Sequence, residues 1–165
     1  MEIIDIVNGQ DEVIGQATQD EIYSQAHPHR IVHILIFNSQ GEMALQLRSQ
    51  AKSFCPHHWS TAVGGHVQAG ESYEQAALRE MAEEANLQLP MQFLYKDIYD
   101  DVFQRGLRKF LGVFQACHDG GFSLDSDEVD EFGFFSLAQI QEMVDQGEKF
   151  HPELLFLLRK YYGIK

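Results

Sequence analysis

Apolar and polar positions divide the chain into blocks with different periods. Residues 31–37 read IVHILIF, a nearly unbroken apolar and β-branched run that predicts a buried strand. NSQGE turns it, and MALQLRS returns as its partner. Upstream, EIIDIVN and EVIGQAT flank GQD and predict an N-terminal hairpin. Thr18 to Glu21 has the form S/T-x-x-E of a capping box and starts a short helix. A loop is expected through FCPHHWSTAVGG. SYEQ at Ser72 caps a helix running to about Ala85, where Asn86 can take the left-handed conformation that ends helices and Pro90 blocks continuation. Strands are expected near MQFLYKDIYD, LRKFLGVFQAC and DEFGFFS. Ser136 caps a helix that stops at Gly147, and a last helix starts near Pro152 and ends at Gly163. That last helix is apolar nearly all round, which suits either a buried helix or a homodimer contact. Strands with helices between and after them predict an α/β (α+β) fold, a mixed central sheet covered by helices on both sides.

Composition narrows the class. With 165 residues, 44% hydrophobic and 22% charged, the chain is expected to form one domain, 1–165, with an ordinary core. No apolar run approaches the length of a membrane span, and the first ten residues have no basic start or cleavage site. Two cysteines fit a reducing, cytoplasmic setting. The net charge of −13 makes a nucleic acid polymer a poor partner. A phosphorylated substrate would need a bound cation to draw it in.

The helix after Ser72 breaks two local rules. At about 100° per residue, Leu78, Met81, Ala82 and Ala85 form a core face, and Glu80, Glu83 and Glu84 fall opposite. The three glutamates are close enough to repel, and two of them sit in the last turn, where the helix dipole disfavours negative charge. A solvated acidic face is one reading. The other is a metal site: Gly64 and Gly65 let the backbone approach a ligand and present a carbonyl, and carboxylate oxygens suit Mg²⁺ or Mn²⁺. Glu71 and Arg79 could pair and lock the loop to the helix.

This stretch resembles the Nudix box, G-x5-E-x7-R-E-U-x-E-E-x-G-U with U a bulky apolar residue. Gly65, Glu71, Arg79, Glu80, Met81, Glu83, Glu84 and Leu87 stand at the matching positions, and Asn86 replaces the last glycine. The resemblance implies a Nudix α/β/α sandwich with its box at 65–87. It implies water attack on a diphosphate in a nucleoside diphosphate-linked small molecule, with Mg²⁺ or Mn²⁺ held by Glu80, Glu83, Glu84 and the Gly65 carbonyl. Arg79 and Glu71 would be organisers of catalysis, and Glu83 a possible general base beside the acids of DSDEVDE (Asp127, Glu128, Asp130, Glu131). His66 and Gly64 would face substrate.

The flanking sequence is similar to the branch of the superfamily containing isopentenyl-diphosphate isomerase. That enzyme uses a cysteine where this chain has Gly64, and acids where it has Leu107 and Lys109, so isomerisation is not expected. His33 and His66 match two of its metal-binding histidines, with His27 near a third. In a buried strand, His33 reads more simply as a core histidine with satisfied hydrogen bonds. A nucleotide sensor without turnover is the non-enzymatic alternative. Trp59 is read as a core anchor for its loop, and Cys55 with His57 and His58 lacks the third group a nucleophilic pair needs.

Overall fold

In the computed structural model, which describes residues 1–165, nine strands and four helices follow one another. They are β1 (Ile3–Val7), β2 (Val13–Thr18), α1 (Gln19–Ser24), β3 (His29–Phe37), β4 (Met43–Arg48), β5 (Trp59–Thr61) and β6 (Val63–His66). Then come α2 (Tyr73–Ala85), β7 (Gln92–Asp100), β8 (Arg108–Cys117), β9 (Val129–Phe135), α3 (Leu137–Asp145) and α4 (Pro152–Tyr161). β1 and β2 form a separate antiparallel hairpin, and the other strands make a seven-stranded mixed sheet.

β3 is the axis of that sheet. It runs parallel to β8 from His29↔Lys109 to Phe37↔Cys117, which needs the long crossover that carries α2 and β7. Successive β3 side chains point to opposite faces. Ile31 and Leu35 pack with Ile140, Leu154, Leu157 and Leu158 of α3 and α4. Val32, Ile34 and Ile36 pack with Ala76, Ala77, Met81 and Ala85 of α2. Helices therefore cover both faces, as the pattern predicts. α4 is a buried helix of the core.

Pairing differs from the expectation in two places. β4 meets β3 at one pair only, Phe37↔Met43, then splays away to pair with β5 and β9. The stretch expected to be loop forms β5 and β6, and β6 fills the vacated edge of β3 from Ile31↔His66 to Ile34↔Val63. This split in the sheet opens a cavity between β3, β4, β5 and β6.

Local signals explain the helix ends. Thr18, Ser72 and Ser136 each accept from the amide three residues on, and Glu21, Gln75 and Gln139 reach back to the cap, so all three capping boxes are closed. Asn86 ends α2 in the left-handed region at φ 53°, ψ 41°. The phase of α2 is rotated from the expectation. Leu78 and Ala82 face solvent, whereas Glu80 joins Ala76, Ala77, Met81 and Ala85 on the buried side. Glu80 can be buried because a cation meets it there.

Candidate active site

That cation is Arg79. Its Nε and Nη2 donate to the two oxygens of Glu71 at 2.6 and 3.0 Å, a bidentate fork. Nη1 donates to Glu80 at 2.8 Å and to Glu83 at 3.2 Å, and Nη2 also reaches the His66 carbonyl at 3.0 Å. One guanidinium thus ties α2 to β6 and to the loop before the helix. Glu71 closes that loop by accepting the Gln68 amide at 2.9 Å. The Arg79 hydrogen bond holds the Glu71 carboxyl below its usual range, and Glu71 in turn raises Arg79.

Gly65 lies directly over Glu80: a Cβ built there would stand 2.4 Å from Glu80 Oε1. Only glycine allows this approach. Burial first, then the adjacent Glu80 carboxylate, hold the Glu84 carboxyl well above its usual range, while the Gly64 amide pulls the other way. Two carboxylates side by side in a partly dry wall accommodate a proton or a cation between them. Their hard oxygens, with the Gly65 backbone alongside, fit a divalent cation such as Mg²⁺. No three His, Cys, Asp or Glu side chains already form a closed cage.

The cavity beside this wall has a volume of about 1120 Å³. Glu83, Glu84, Gly64, Gly65 and His66 line one side. The cavity also reaches a buried ionic network, whose His33 is the strand partner of Gly64. Lys109, 2% exposed, donates to Glu153 at 2.9 Å and lies 3.0 Å from Asp101. His33 Nε2 meets Glu153 at 3.0 Å, and its Nδ1 meets Thr61 at 3.0 Å. Burial alone would raise Glu153; the His33 bond and the Lys109 charge outweigh it and hold the carboxyl well below its usual range.

The sequence model of the family described as NUDIX domain matches residues 27–158. The chain belongs to the Nudix hydrolase family. It is 32% identical over 164 residues to a Nudix hydrolase of Nostoc sp., covering 99% of this chain and 97% of that one. A Streptomyces coelicolor Nudix hydrolase is 35% identical over 149 residues, covering 89% and 81%. A crystal structure of DR0079 from Deinococcus radiodurans superposes with a TM-score of 0.83 at 29% identity, covering 98% of this chain and 99% of that one.

The structure gathers the expected site residues into two layers. Glu83, Glu84, Gly64, Gly65 and His66 reach the cavity, while Glu71, Arg79 and Glu80 lie behind them. His33 and His66 both line the cavity; His33 is engaged at both nitrogens, and His66 bonds Tyr23 and Glu2. Of the acidic loop, Glu128 lines the cavity, where Lys52 pairs with it, and Asp130 accepts the Gln50 amide. Trp59 is a buried core residue. His58 Nδ1 bonds the Pro56 carbonyl and not the thiol of Cys55, which burial pushes up. Sequence reading missed Glu2, Tyr23, Asp101, His151 and Glu153. They lie far from the box along the chain, and only the folded topology brings them to it.

Proposed function

We propose that this single-domain Nudix protein is a divalent-cation-dependent hydrolase that cleaves a diphosphate bond in a nucleoside diphosphate-linked or related small molecule. The observation that carries this reading is the Glu80–Glu84 pair beneath Gly65, set in the wall of a cavity large enough for such a substrate. Glu80, Glu83, Glu84 and the Gly65 carbonyl would hold Mg²⁺ or Mn²⁺. Once bound, the cation neutralises phosphate charge and lowers the pKa of the water it holds. Arg79 and Glu71 fix the carboxylates; they position the ligands and do not touch substrate. Glu83, at the cavity surface, is our assignment for the group that takes the proton from the attacking water. Arg48 and Lys52 add positive charge at the cavity wall of an otherwise acidic chain. No helix is long and apolar enough to cross a membrane. With both cysteines free, a cytoplasmic setting is consistent.

Isomerase chemistry is disfavoured. A side chain at Gly64 would meet the Val32 carbonyl at 3.0 Å and Thr61 Oγ1 at 3.3 Å, so the cavity has little room for the missing cysteine. Lys109, where the isomerase has an acid, is already engaged with Glu153 and Asp101.

The test is hydrolysis of a panel of nucleoside diphosphate-linked compounds with Mg²⁺ and with Mn²⁺, using Glu84→Gln as control. We expect turnover in the wild type and a loss of at least about 100-fold in the variant. Its melting temperature should be unchanged or raised, because a crowded carboxyl is removed. Equal activity in the variant would sink the metal assignment. Saturable binding without product would favour a sensor.

A further inference from the structure

Lys109 has no part in the proposed hydrolysis, yet four separate segments meet at its ammonium. It stands in β8, 2% exposed. Asp101, from the loop between β7 and β8, lies 3.0 Å from Nζ, and Glu153, in the first turn of α4, lies 2.9 Å away. The Tyr23 ring of α1 has its centroid at 5.6 Å, and the Phe54 ring, from the loop between β4 and β5, at 6.0 Å. Two of the ammonium hydrogens go to the carboxylates, and the third has aromatic faces around it. Burial alone would lower Lys109; the Glu153 charge outweighs it and holds the ammonium above its usual range. A buried ion pair of this kind adds little net stability, because desolvation cancels most of the attraction. What Lys109 contributes is geometry.

Asp101 carries that geometry to the cavity. Its Oδ2 faces Lys109, and its Oδ1 accepts the Phe103 amide at 2.7 Å and the Gln104 amide at 2.9 Å. The buried carboxylate thus folds the 101–107 loop around itself. The Asp101 amide closes the loop on the Leu107 carbonyl, and the Gln104 side chain donates to the Tyr23 carbonyl. So turned, Phe103, 63% exposed, meets the Phe54 ring edge-on, with centroids 6.0 Å apart. Phe54, Phe103 and Gln104 all line the cavity. Phe54 is fixed from its own side by Arg48, whose Nε and Nη2 donate to its carbonyl at 3.2 and 2.9 Å. These loops belong to neither β6 nor α2, which carry the proposed metal ligands.

We infer that Lys109 is a positioning residue for substrate recognition: without touching substrate, its ammonium holds the Asp101 loop and the Phe54 ring so that Phe103 and Gln104 stand in the cavity wall to meet the group carried on the diphosphate. This rests on the diphosphate-hydrolase reading and adds the part of the site that the metal ligands do not supply. Contacts made there are the same before and during reaction, so their loss falls on KM and spares kcat.

The experiment measures kcat, KM and Mn²⁺ affinity on the panel of nucleoside diphosphate-linked compounds, together with amide hydrogen exchange of the free protein. Asp101→Asn leaves Lys109 and Glu153 in place and changes only the acceptor. Lys109→Met removes the charge at similar length but strands two buried carboxylates, so Lys109→Met/Glu153→Gln is made beside it; the pair keeps the net charge of the network without restoring the tether. In each of these variants KM should rise by about tenfold or more, with kcat and Mn²⁺ affinity within about twofold of wild type. Exchange across residues 101–107 should quicken by about tenfold or more while the amides of β8 keep their protection. Phe103→Ala should raise KM alike, and Lys109→Met added to it should raise KM little further, because both act through one loop. An unchanged KM, an unchanged loop exchange, a parallel loss of kcat and Mn²⁺ affinity, or additive losses in the Phe103→Ala background would overturn the inference. Calorimetry with Mn²⁺ and the same compounds separates it from the hydrolase reading. If wild type binds a compound without hydrolysing any, and the variants weaken that binding by about tenfold, the hydrolase reading fails and the role of Lys109 stands. If hydrolysis is seen and KM does not move, the role of Lys109 fails alone. If nothing is bound or hydrolysed, both fail.

Discussion

Gly65 is the residue with the least freedom in the site, and its constraint comes from a side chain fifteen positions later. Its α-carbon supports the strand pairing Val32↔Gly65 while Glu80 rises against it from α2. An added methyl group must push the Glu80 carboxylate aside, and that carboxylate is held by Arg79. Gly65→Ala should therefore act on geometry without changing charge. We expect the fold to survive, because Glu80 can rotate within its wall, and metal affinity to fall by about 10-fold to 100-fold, as for other displaced ligand-supporting contacts. Calorimetric titration with Mn²⁺ measures this directly. An unchanged affinity would mean that Glu80 is not part of the metal site. The same residue shows how a local reading goes astray. By polarity Glu80 belongs outside and Leu78 inside; the Arg79 partner reverses both.

At the scale of elements, what the sequence revealed is what neighbours along the chain decide. The three capping boxes and the end of α2 were legible because each is settled within four residues. The Nudix box was legible for the same reason, since a helix and the loop before it carry all its fixed positions. Strand partners were not. MALQLRS turns back from β3 as its pattern says, but its edge is claimed by β9, from Met43↔Phe135 to Arg48↔Val129, far along the chain. WST and VGGH are too short to register a period of two, and a glycine pair reads as loop. Lys109, Asp101 and Glu153 meet only after β8, the loop before it and α4 have docked. Asn86 offers a test of an element's end. At φ 53° it sits where glycine is free of strain and a β-carbon is not, and asparagine is the best tolerated alternative. Asn86→Gly should be neutral to slightly stabilising, and Asn86→Ala should destabilise by about 1 kcal/mol. Urea unfolding of the two variants gives the comparison. An Asn86→Ala variant as stable as the wild type would show that a β-carbon is not strained at this position and that the Asn86 amide is not needed to end α2.

For the molecule as a whole, the interior sets a dependence on pH that the surface alone would not. His29 is fully buried; its Nδ1 donates to the His27 carbonyl at 2.9 Å, and its Nε2 has no partner. A proton at Nε2 would be a buried donor with nothing to accept it. His151 is nearly as buried, and its Nδ1 accepts the Glu153 amide at 3.3 Å, so a proton there breaks the cap of α4. Burial lowers both imidazoles to about 4. An unfolded histidine titrates near about 6.5. Between these values the unfolded chain binds protons that the folded chain refuses, so stability rises with pH across this window and falls as acid is added. The loss is on the order of 3 kcal/mol per histidine by the time both forms are protonated. Glu153, held low in the folded state, contributes stability that is present above the ordinary carboxylate range and is lost only at more acid pH. Relief of repulsion within a chain of net charge −13 works the other way. It depends mainly on carboxylates, which take up protons near about pH 4. The Glu84 carboxyl, held well above its usual range in the folded chain, takes up its proton there before the unfolded chain does and opposes the histidines. Glu84→Gln removes that opposing group and leaves the histidine effect between about pH 6.5 and 5. Urea midpoints of Glu84→Gln should fall steadily as acid is added through that window. Adding His29→Leu removes one of the two refusing groups and should flatten part of that slope. A midpoint constant down to about pH 5 in Glu84→Gln would show that these imidazoles find water or a partner when protonated, and that the interior around α4 is more open than its packing indicates.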